Sequence, residues 1–416
     1  MKTKSTGAQD APARQFAVLM MAACPFPSAQ GTQVYVGQMA SWLAHRGHRI
    51  SLVTYHHGAG DTRAFDAAAP YQMCRAMAVP GLNSLASGPS WEKPLADALL
   101  VLRGLEAVAN ARRAGHPYDL IHAHNYEGAL AGVLVGRLTG LPVLYHAHNL
   151  MGDELPTYFQ DPQKRALAGW FGRTLDRVVP GLADRCLAVS RHAQARLASL
   201  HRIPVRYHPP AVEEIEPLRT FSNHKKGRWA IYTGNLDGYQ SPEVMFAALV
   251  RSKARCVVVT ADQPERWQPW LERYGLGQQV QVVPHGDFDH VRGWLAGAAV
   301  ALLPRRVASG FPIKLINYLA AGCPVVACRG GAQGLGRADG VWTVPDGDEA
   351  AFAQALEALL HNGALSDELG TAAQRAAQNF GWPTRGAAIE AEYAALVAAH
   401  GRAKESGGKG HDGTIG

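Results

Sequence analysis

Two pairs of histidines in the first half of the chain have the residue type and spacing of a ligand-binding group. His122 and His124 end one apolar run, and His146 and His148 end the next one along the chain. Residues two apart in a β-strand point to the same face of a sheet, so each pair presents its rings together. An imidazole donates to phosphate or hydroxyl groups and titrates near neutral pH. We expect His148 and His124 to contact a substrate, and the alternatives are core-filling histidines or a zinc site.

A second candidate is a basic loop in the other half of the chain. It runs from Pro304 to Lys314, ahead of an apolar helical stretch at 315–321, and contains Arg305, Arg306 and Gly310. Backbone N–H groups at a helix N-terminus, the helix dipole and cationic side chains together bind anions. The pattern favours a diphosphate site. The alternative is a turn shaped by Gly310, with Arg306 in solvent.

A third candidate is the small-residue loop at 27–33, between an expected strand and an expected helix. Gly31 and Thr32 would let backbone N–H groups at the helix N-terminus approach a phosphate or sugar oxygen. The loop lacks the Gly-x-Gly-x-x-Gly and Gly-x-x-x-x-Gly-Lys patterns, which argues against a dinucleotide site or a P-loop. A plain turn between strand and helix is the alternative.

All these residues follow apolar runs that alternate with helical patterns. The segment 16–23 is typical of a buried strand, 31–46 of a helix that closes at Gly47, and 48–54 of a second strand. Further strand-then-helix units follow, and a second series begins at residue 230. This alternation predicts an α/β fold with two Rossmann-like, doubly wound parallel-sheet domains. Such sheets bind ligands beyond the carboxyl ends of their strands, so we expect the site in a cleft between the domains.

The polar stretch after Pro209 has no sustained periodicity and is the predicted domain boundary. We expect an N-terminal acceptor domain at 15–212 and a C-terminal nucleotide-sugar domain at 229–380, joined by a linker at 213–228. A helix at 381–402 is expected to cross back to the N-terminal domain. The leader at 1–14 and the tail at 403–416 are expected to be disordered.

Composition narrows the class of protein. The 416 residues include 41 Lys and Arg against 34 Asp and Glu, a net charge of +7, without a run of five basic residues, so we expect no nucleic-acid partner. The six cysteines form no Cys-x-x-Cys pair, which argues against a disulfide framework and a metal site. The short apolar start is interpreted as a strand and not as a secretion signal, and the absence of an 18-residue apolar run argues against a membrane-spanning helix. We expect a cytoplasmic protein.

The basic excess is consistent with peripheral contact at the inner face of an anionic membrane. The segment Trp91–Arg113 has apolar and basic faces and is one candidate for such contact. Packing of this segment on its own sheet is the interpretation that we favour.

Taken in order, the motifs resemble the GT-B glycosyltransferases of family 4, the group 1 retaining sugar transferases, from about Phe16 to Val397. The resemblance rests on six segments: Leu43–His48, Tyr118–His124, Pro142–Leu150, Ala188–Ser190, Tyr232–Leu236 and Gly310–Val326. It implies a nucleotide sugar bound by the C-terminal domain, an acceptor bound mainly by the N-terminal domain, and no obligatory metal or cofactor.

The resemblance also assigns roles to single residues. His148 matches the strand-end histidine that reaches the donor near its sugar and phosphates, and we take it as the catalytic residue. Gly31 and Thr32 match the loop that touches the donor diphosphate. The loop under the transferred sugar, which supplies backbone N–H groups, matches Gly310, Phe311 and Pro312.

The sequence departs from the family at its paired carboxylates. The Glu-x7-Glu positions fall on Ser309 and Asn317. The Asn317 amide can still bind ribose hydroxyls and Ser309 a sugar hydroxyl, but neither supplies charge. The usual Arg and Lys after the Tyr-x-Gly strand are also absent, and Asn235, Tyr239 and Gln240 occupy that stretch. Arg305 and Lys314 are the expected replacements at the phosphates, with Asn235 and Gln240 as further contacts.

The sequence therefore predicts a glycosyltransferase that moves a sugar from a nucleotide-diphosphate donor, with retention. Its acceptor is a glycan, a lipid-linked sugar or a small molecule. Two alternatives remain: a GT-B protein that has lost catalysis and serves as a binding partner, and a nucleotide-sugar epimerase or hydrolase on the same fold.

Overall fold

The computed structural model describes residues 14–28, 30–78, 81, 93–212, 229–284, 288–308 and 310–408, with side chains as far as residue 403 except at 288 and 289. The predicted linker at 213–228, Ser309, nearly all of the predicted leader and the last eight residues lie outside the described residues.

Seven strands form the first sheet, in the order β3-β2-β1-β4-β5-β6-β7. Their bounds are β1 Ala17–Ala22, β2 Arg49–Thr54, β3 Gln72–Arg75, β4 Leu120–His124, β5 Val143–Ala147, β6 Arg185–Ala188 and β7 Val205–Tyr207. β1 pairs in parallel with β2 and β4, β2 with β3, and β6 with β7. The predicted first strand is thus β1, and it lies inside the sheet between β2 and β4, buried on both faces as its continuous apolar run requires.

Six strands form the second sheet, in the order β10-β9-β8-β11-β12-β13. Their bounds are β8 Ala230–Thr233, β9 Cys256–Thr260, β10 Val280–Pro284, β11 Val300–Leu303, β12 Val325–Cys328 and β13 Val341–Val344. Neighbouring strands are parallel. Both sheets follow the Rossmann order, in which the chain reverses direction across the sheet beside the first strand. The predicted fold class, two doubly wound parallel-sheet domains, is confirmed.

Helices connect the strands, as parallel pairing requires. They are α1 Gly31–His45, α2 Thr62–Ala68, α3 Lys93–Arg113, α4 Asn125–Thr139, α5 Met151–Glu154, α6 Pro162–Val178, α7 Arg191–Leu200, α8 Pro242–Ser252, α9 Gln268–Tyr274, α10 Phe288–Gly297, α11 Ile313–Ala320, α12 Arg329–Ala332, α13 Glu349–His361, α14 Gly363–Ala377 and α15 Trp382–Gly408. Within the described part of the chain, no helix is long and apolar enough to cross a membrane.

The chain divides into two compact units. The first holds the chain up to Tyr145, Ala183–Arg185 and the chain from Ile389 onwards, and the second holds His146–Leu182 and Cys186–Ala388. The predicted tail begins too early, because α15 continues to Gly408 and thus includes residues 403–408.

Polar contacts tie the later part of α15 into the first unit. The Tyr393 hydroxyl and His122 Nδ1 lie 2.7 Å apart, and Arg185 Nε donates to Glu392 at 2.8 Å. The Phe16 amide donates to His48 Nδ1, so His48 donates from Nε2 to Glu390 at 2.9 Å. The three bonds made by α15 join residues more than 200 positions apart in sequence, so this helix is held by tertiary contacts and not by helix propensity alone.

Replacement of Glu390 tests this attachment. Burial raises the pKa of Glu390, but hydrogen bonds from Arg46 and His48 outweigh it and hold the pKa below its ordinary value. We expect Glu390→Gln to lower the free energy of unfolding at pH 7 by about 1–2 kcal/mol. The ionised carboxylate stabilises the fold only above its lowered pKa, so the difference from wild type should shrink as the pH falls through that value.

Urea unfolding at neutral and acid pH measures this difference. Glu368→Gln, on the exposed side of α14, is the matched control and should change little at either pH. A Glu390→Gln protein as stable as wild type at pH 7 would contradict the role of this carboxylate.

Candidate active site

Lys314 lies in the first turn of α11, one residue after the helix begins. Its ammonium group is 3.1 Å from Gln240 Oε1, 3.4 Å from the Tyr232 hydroxyl and 4.4 Å from the centre of the Tyr232 ring. Burial lowers the pKa of Lys314 to about 7, and the positive charge of Arg305 adds to this effect. The side chain is thus a cation held where water stabilises it poorly.

Arg305 follows β11 and is the second cation of this group. It is only 8% exposed, its Nε donates to the Val307 carbonyl at 3.0 Å, and its guanidinium lies 5.3 Å from the centre of the Tyr239 ring. Burial lowers its pKa below the ordinary value, although the side chain stays charged. Two like charges in a poorly solvated place repel each other, and an anion between them would relieve both costs.

Gly310 brings the loop before α11 against the residues that follow β5. Its φ of +67° lies in the left-handed region, and a Cβ built on it would lie 2.1 Å from Asn149 Oδ1 and 3.3 Å from the His148 carbonyl oxygen. A larger residue would therefore clash as well as strain the backbone. The predicted residues His148 and Gly310 come together in the second unit for this reason.

His148 lies in a row of three histidines within the second unit. Its ring stacks on His146 at 4.8 Å between centres, and His146 lies 5.5 Å from His208. Burial, with a smaller contribution from His208, lowers the pKa of His148 to about 3. His148 is therefore neutral at pH 7, where it can donate one hydrogen bond and accept another but cannot act as a cation.

The remaining predicted residues divide between the two units. Gln240 contacts Lys314, whereas Asn235 donates to Asp237 Oδ2 at 2.7 Å. Asn317 is three residues after Lys314, on the same side of α11. Phe311 is buried and Pro312 precedes the first helical residue. Gly31 and Thr32 begin α1 and His124 ends β4, all in the first unit.

Two features of the site were not predicted. Tyr232 and Tyr239 supply the ring faces beside the cations, and the signal for them was the aromatic residues at and just after the Tyr-x-Gly strand end. Arg306 is exposed, as the alternative interpretation of this loop has it, but it pairs with Glu243 and donates from Nε to Ser241 Oγ at 3.1 Å. An ion pair between residues 63 positions apart leaves no local sequence pattern.

The histidines considered for a zinc site divide between the two units: His122 and His124 belong to the first, and His146 and His148 to the second. Histidine nitrogens suit zinc and other divalent transition metals. The expectation of a metal-free site therefore stays a prediction.

Replacement of Lys314 tests whether the charged ammonium group lowers the free energy of unfolding. Between pH 7 and the ordinary lysine value, the unfolded chain holds a proton that the folded chain releases, so the wild-type free energy of unfolding should rise with pH. Lys314→Met removes the charge from this partly buried position. We expect it to be more stable than wild type at pH 7, by about 1–3 kcal/mol, and to lack that rise.

Urea unfolding at pH 7 and at about pH 9.5 measures whether the free energy of unfolding rises with pH, as expected for wild type, or stays level, as expected for Lys314→Met. Lys164→Met removes an exposed lysine of α6 and serves as the control, which should follow wild type at both values. A Lys314→Met protein less stable than wild type at pH 7 would show that the ammonium group stabilises the fold.

Comparison with known proteins finds a glycosyltransferase family in each half of the chain. The family described as Glycosyl transferase 4-like domain matches residues 30–211, and the family described as Glycosyl transferases group 1 matches residues 228–362. A curated relative, the D-inositol 3-phosphate glycosyltransferase of Arthrobacter sp. (strain FB24), is 26% identical over 398 residues, which cover 89% of this chain and 91% of that protein.

Solved structures resemble the fold over nearly the whole chain. The sucrose-phosphate synthase of Thermosynechococcus elongatus matches with a TM-score of 0.74 and 21% identity, covering 93% of this chain and 100% of that one. HepE of Anabaena, solved in complex with UDP and glucose, matches with a TM-score of 0.69 and 16% identity over 92% of this chain and 100% of that one. With both family matches on a fold of two doubly wound sheets, the chain belongs to the group 1 glycosyltransferases of the GT-B fold.

Proposed function

We propose that this glycosyltransferase takes its sugar from a nucleotide-diphosphate donor and transfers it with retention of configuration. The observation that carries the proposal is the pair of poorly solvated cations, Arg305 and Lys314, beside the Gly310 loop. A diphosphate carries negative charge that both cations attract. It also matches the number of cations, since each phosphate can accept from one of them.

The start of α11 adds a second source of positive potential. Amides in the first turn of a helix have no partner four residues earlier within it, although the Leu315 amide here donates to the Pro312 carbonyl at 2.8 Å. Donor phosphates at this end would meet Lys314 and the helix N-terminus together. Asn317, on the same side of the helix, would bind the ribose hydroxyls through its amide, and Ser309 a sugar hydroxyl.

His148 contributes without charge in this proposal. Its lowered pKa keeps the ring neutral at neutral pH, so it orients the donor by hydrogen bonding and transfers no proton. The acceptor hydroxyl attacks the anomeric carbon on the face from which the diphosphate departs, and its proton passes to the departing phosphate oxygen. The cations and backbone N–H groups stabilise the charge that develops on that oxygen, so no side-chain base and no metal ion are needed.

Gly31 and Thr32 would contact the same diphosphate from the first turn of α1, where the side chain of Gln30 makes no capping bond. His124 and Asn235 are the further proposed contacts of donor or acceptor. Asn235 must exchange its bond to Asp237 to take that role.

The acceptor remains one of three classes: a glycan, a lipid-linked sugar or a small molecule. The curated relatives named as D-inositol 3-phosphate glycosyltransferases make a phosphorylated polyol the first small molecule to test. Because HepE of Anabaena has been solved with UDP and with UDP-glucose, these two are the first donor ligands to test.

A thermal-shift panel with UDP, GDP, ADP, TDP and their sugars tests the donor without knowledge of the acceptor. A ligand that binds only the folded state raises the melting temperature by mass action. We expect one nucleotide family to do so, and Arg305→Gln and Lys314→Gln each to weaken its affinity about 10–100-fold, the worth of a charge-assisted hydrogen bond.

Arg306→Gln is a closely matched control, because this arginine is the neighbour of Arg305 but is engaged by Glu243. It should keep the nucleotide-induced shift. If no nucleotide raises the melting temperature, the donor proposal fails and a non-catalytic partner protein becomes the better description. Sugar released or epimerised in the absence of acceptor would instead favour the hydrolase or epimerase.

The pH dependence of nucleotide affinity tests the role of Lys314 directly. A diphosphate binds the protonated amine, whose pKa in the free protein is about 7. We expect the affinity to fall by up to about tenfold per pH unit above that value, where the phosphates no longer titrate. Calorimetric titration from pH 6 to about pH 9 measures this slope, and Lys314→Gln should abolish it. An unchanged slope in that variant would assign the titration to another group.

A further inference from the structure

Helix α6 turns its small residues inwards and its large apolar residues outwards. Its buried positions are Ala168, Gly169, Gly172 and Asp176. A Cβ built on Gly172 would lie 2.2 Å from the Met151 carbonyl oxygen, so the helix packs with its backbone directly against the start of α5. This close packing fixes which face of α6 is left on the surface.

The surface face carries a stripe of large apolar side chains. Leu167 is 65% exposed, Trp170 59%, Phe171 51% and Val178 51%. Their spacing of three, four and eleven residues from Leu167 puts them on one side of the helix. Single exposed apolar residues are common on soluble proteins, but a contiguous aromatic stripe indicates a surface that something covers.

The charges on α6 are arranged around this stripe. Helical geometry puts Lys164 along one border and Arg173 and Arg177 along the other, and all three are exposed. The acid within the helix, Asp176, is buried, where its two oxygens accept from the Met151 and Gly152 amides at 2.9 Å. The exposed charge of α6 itself is therefore entirely positive, with Arg165 as its fourth cation.

We propose that this face of α6 docks the protein on an anionic lipid membrane. Tryptophan and phenylalanine are favoured at the boundary between headgroups and acyl chains, and lysine and arginine beside them bind the anionic headgroups. A second copy of the chain fits the face poorly, because pairing α6 with itself would bring like cations together without an exposed acid of that helix to match them.

This surface is not the one that the sequence suggested. The described part of that segment, α3, packs against the first three strands and α4, and its exposed leucines, Leu95 and Leu102, have no aromatic neighbour among the large exposed residues of that helix. The docking proposal is independent of the donor, since it concerns lipid binding by the protein without nucleotide or acceptor.

Flotation with lipid vesicles tests the proposal on the full chain. Wild type should bind vesicles that contain phosphatidylglycerol and not vesicles of phosphatidylcholine alone. Trp170→Ser/Phe171→Ser should abolish binding. Lys164→Gln/Arg177→Gln should weaken it about 25-fold, at about fivefold for each cation, and added salt should weaken wild-type binding in the same direction.

Two double variants are matched controls. Leu134→Ser/Leu138→Ser removes exposed apolar residues from α4, and Arg196→Gln/Arg202→Gln removes two exposed cations outside α6. Both should bind like wild type, with circular dichroism and melting temperature confirming that every variant folds. Equal loss in the controls, no binding by wild type, or a wild-type dimer that Trp170→Ser/Phe171→Ser converts to a monomer would each overturn membrane docking, the last in favour of self-association.

Discussion

The candidate site depends on one unfavourable interaction, the repulsion between Arg305 and Lys314 in a place where water screens them little. Both pKa values are lowered, first by burial, and the pKa of Lys314 is lowered further by its neighbour. Uncharged groups contact both side chains: Tyr232 and Tyr239 offer ring faces, and Gln240 offers an amide oxygen. Such contacts orient a cation and leave its charge available to a ligand.

The topology explains why these residues meet. Arg305 follows β11 and Tyr232 lies near the end of β8, and these two strands are neighbours in the second sheet. Their carboxyl ends therefore lie side by side, and the loop to α11 starts there and brings Lys314 back over the end of β8. That is the switch point at which doubly wound sheets bind ligands. The Gly310 loop then sets the Asn149 side chain against the same segment at a distance that only glycine permits.

The fold could be predicted from the sequence because alternating apolar runs and helical patterns are local signals, and the family resemblance gave their order. The contacts between residues from different parts of the site could not be predicted from the sequence. Lys314 and Gln240 are 74 positions apart, and no local pattern distinguishes Arg305, which lies beside Tyr239, from Arg306, which Glu243 engages. Helix α6 was missed for a related reason. Its composition is that of an ordinary amphipathic helix, and only its packing shows that the small residues are the buried ones.

The residues at the family's two carboxylate positions affect the net charge of the candidate site. Where the family has two glutamates, this chain has Ser309 and Asn317, so negative charge is removed from the same loop and helix that hold Arg305 and Lys314. Of the described acids, Asp237 raises the pKa of Lys314 and Glu154 that of Arg305, but in both cases burial prevails. The site is therefore more positive than its relatives' motif would make it. On the proposed function, a bound diphosphate would offset part of this charge, so the diphosphate would contribute a larger part of the binding free energy and the sugar hydroxyls a smaller one.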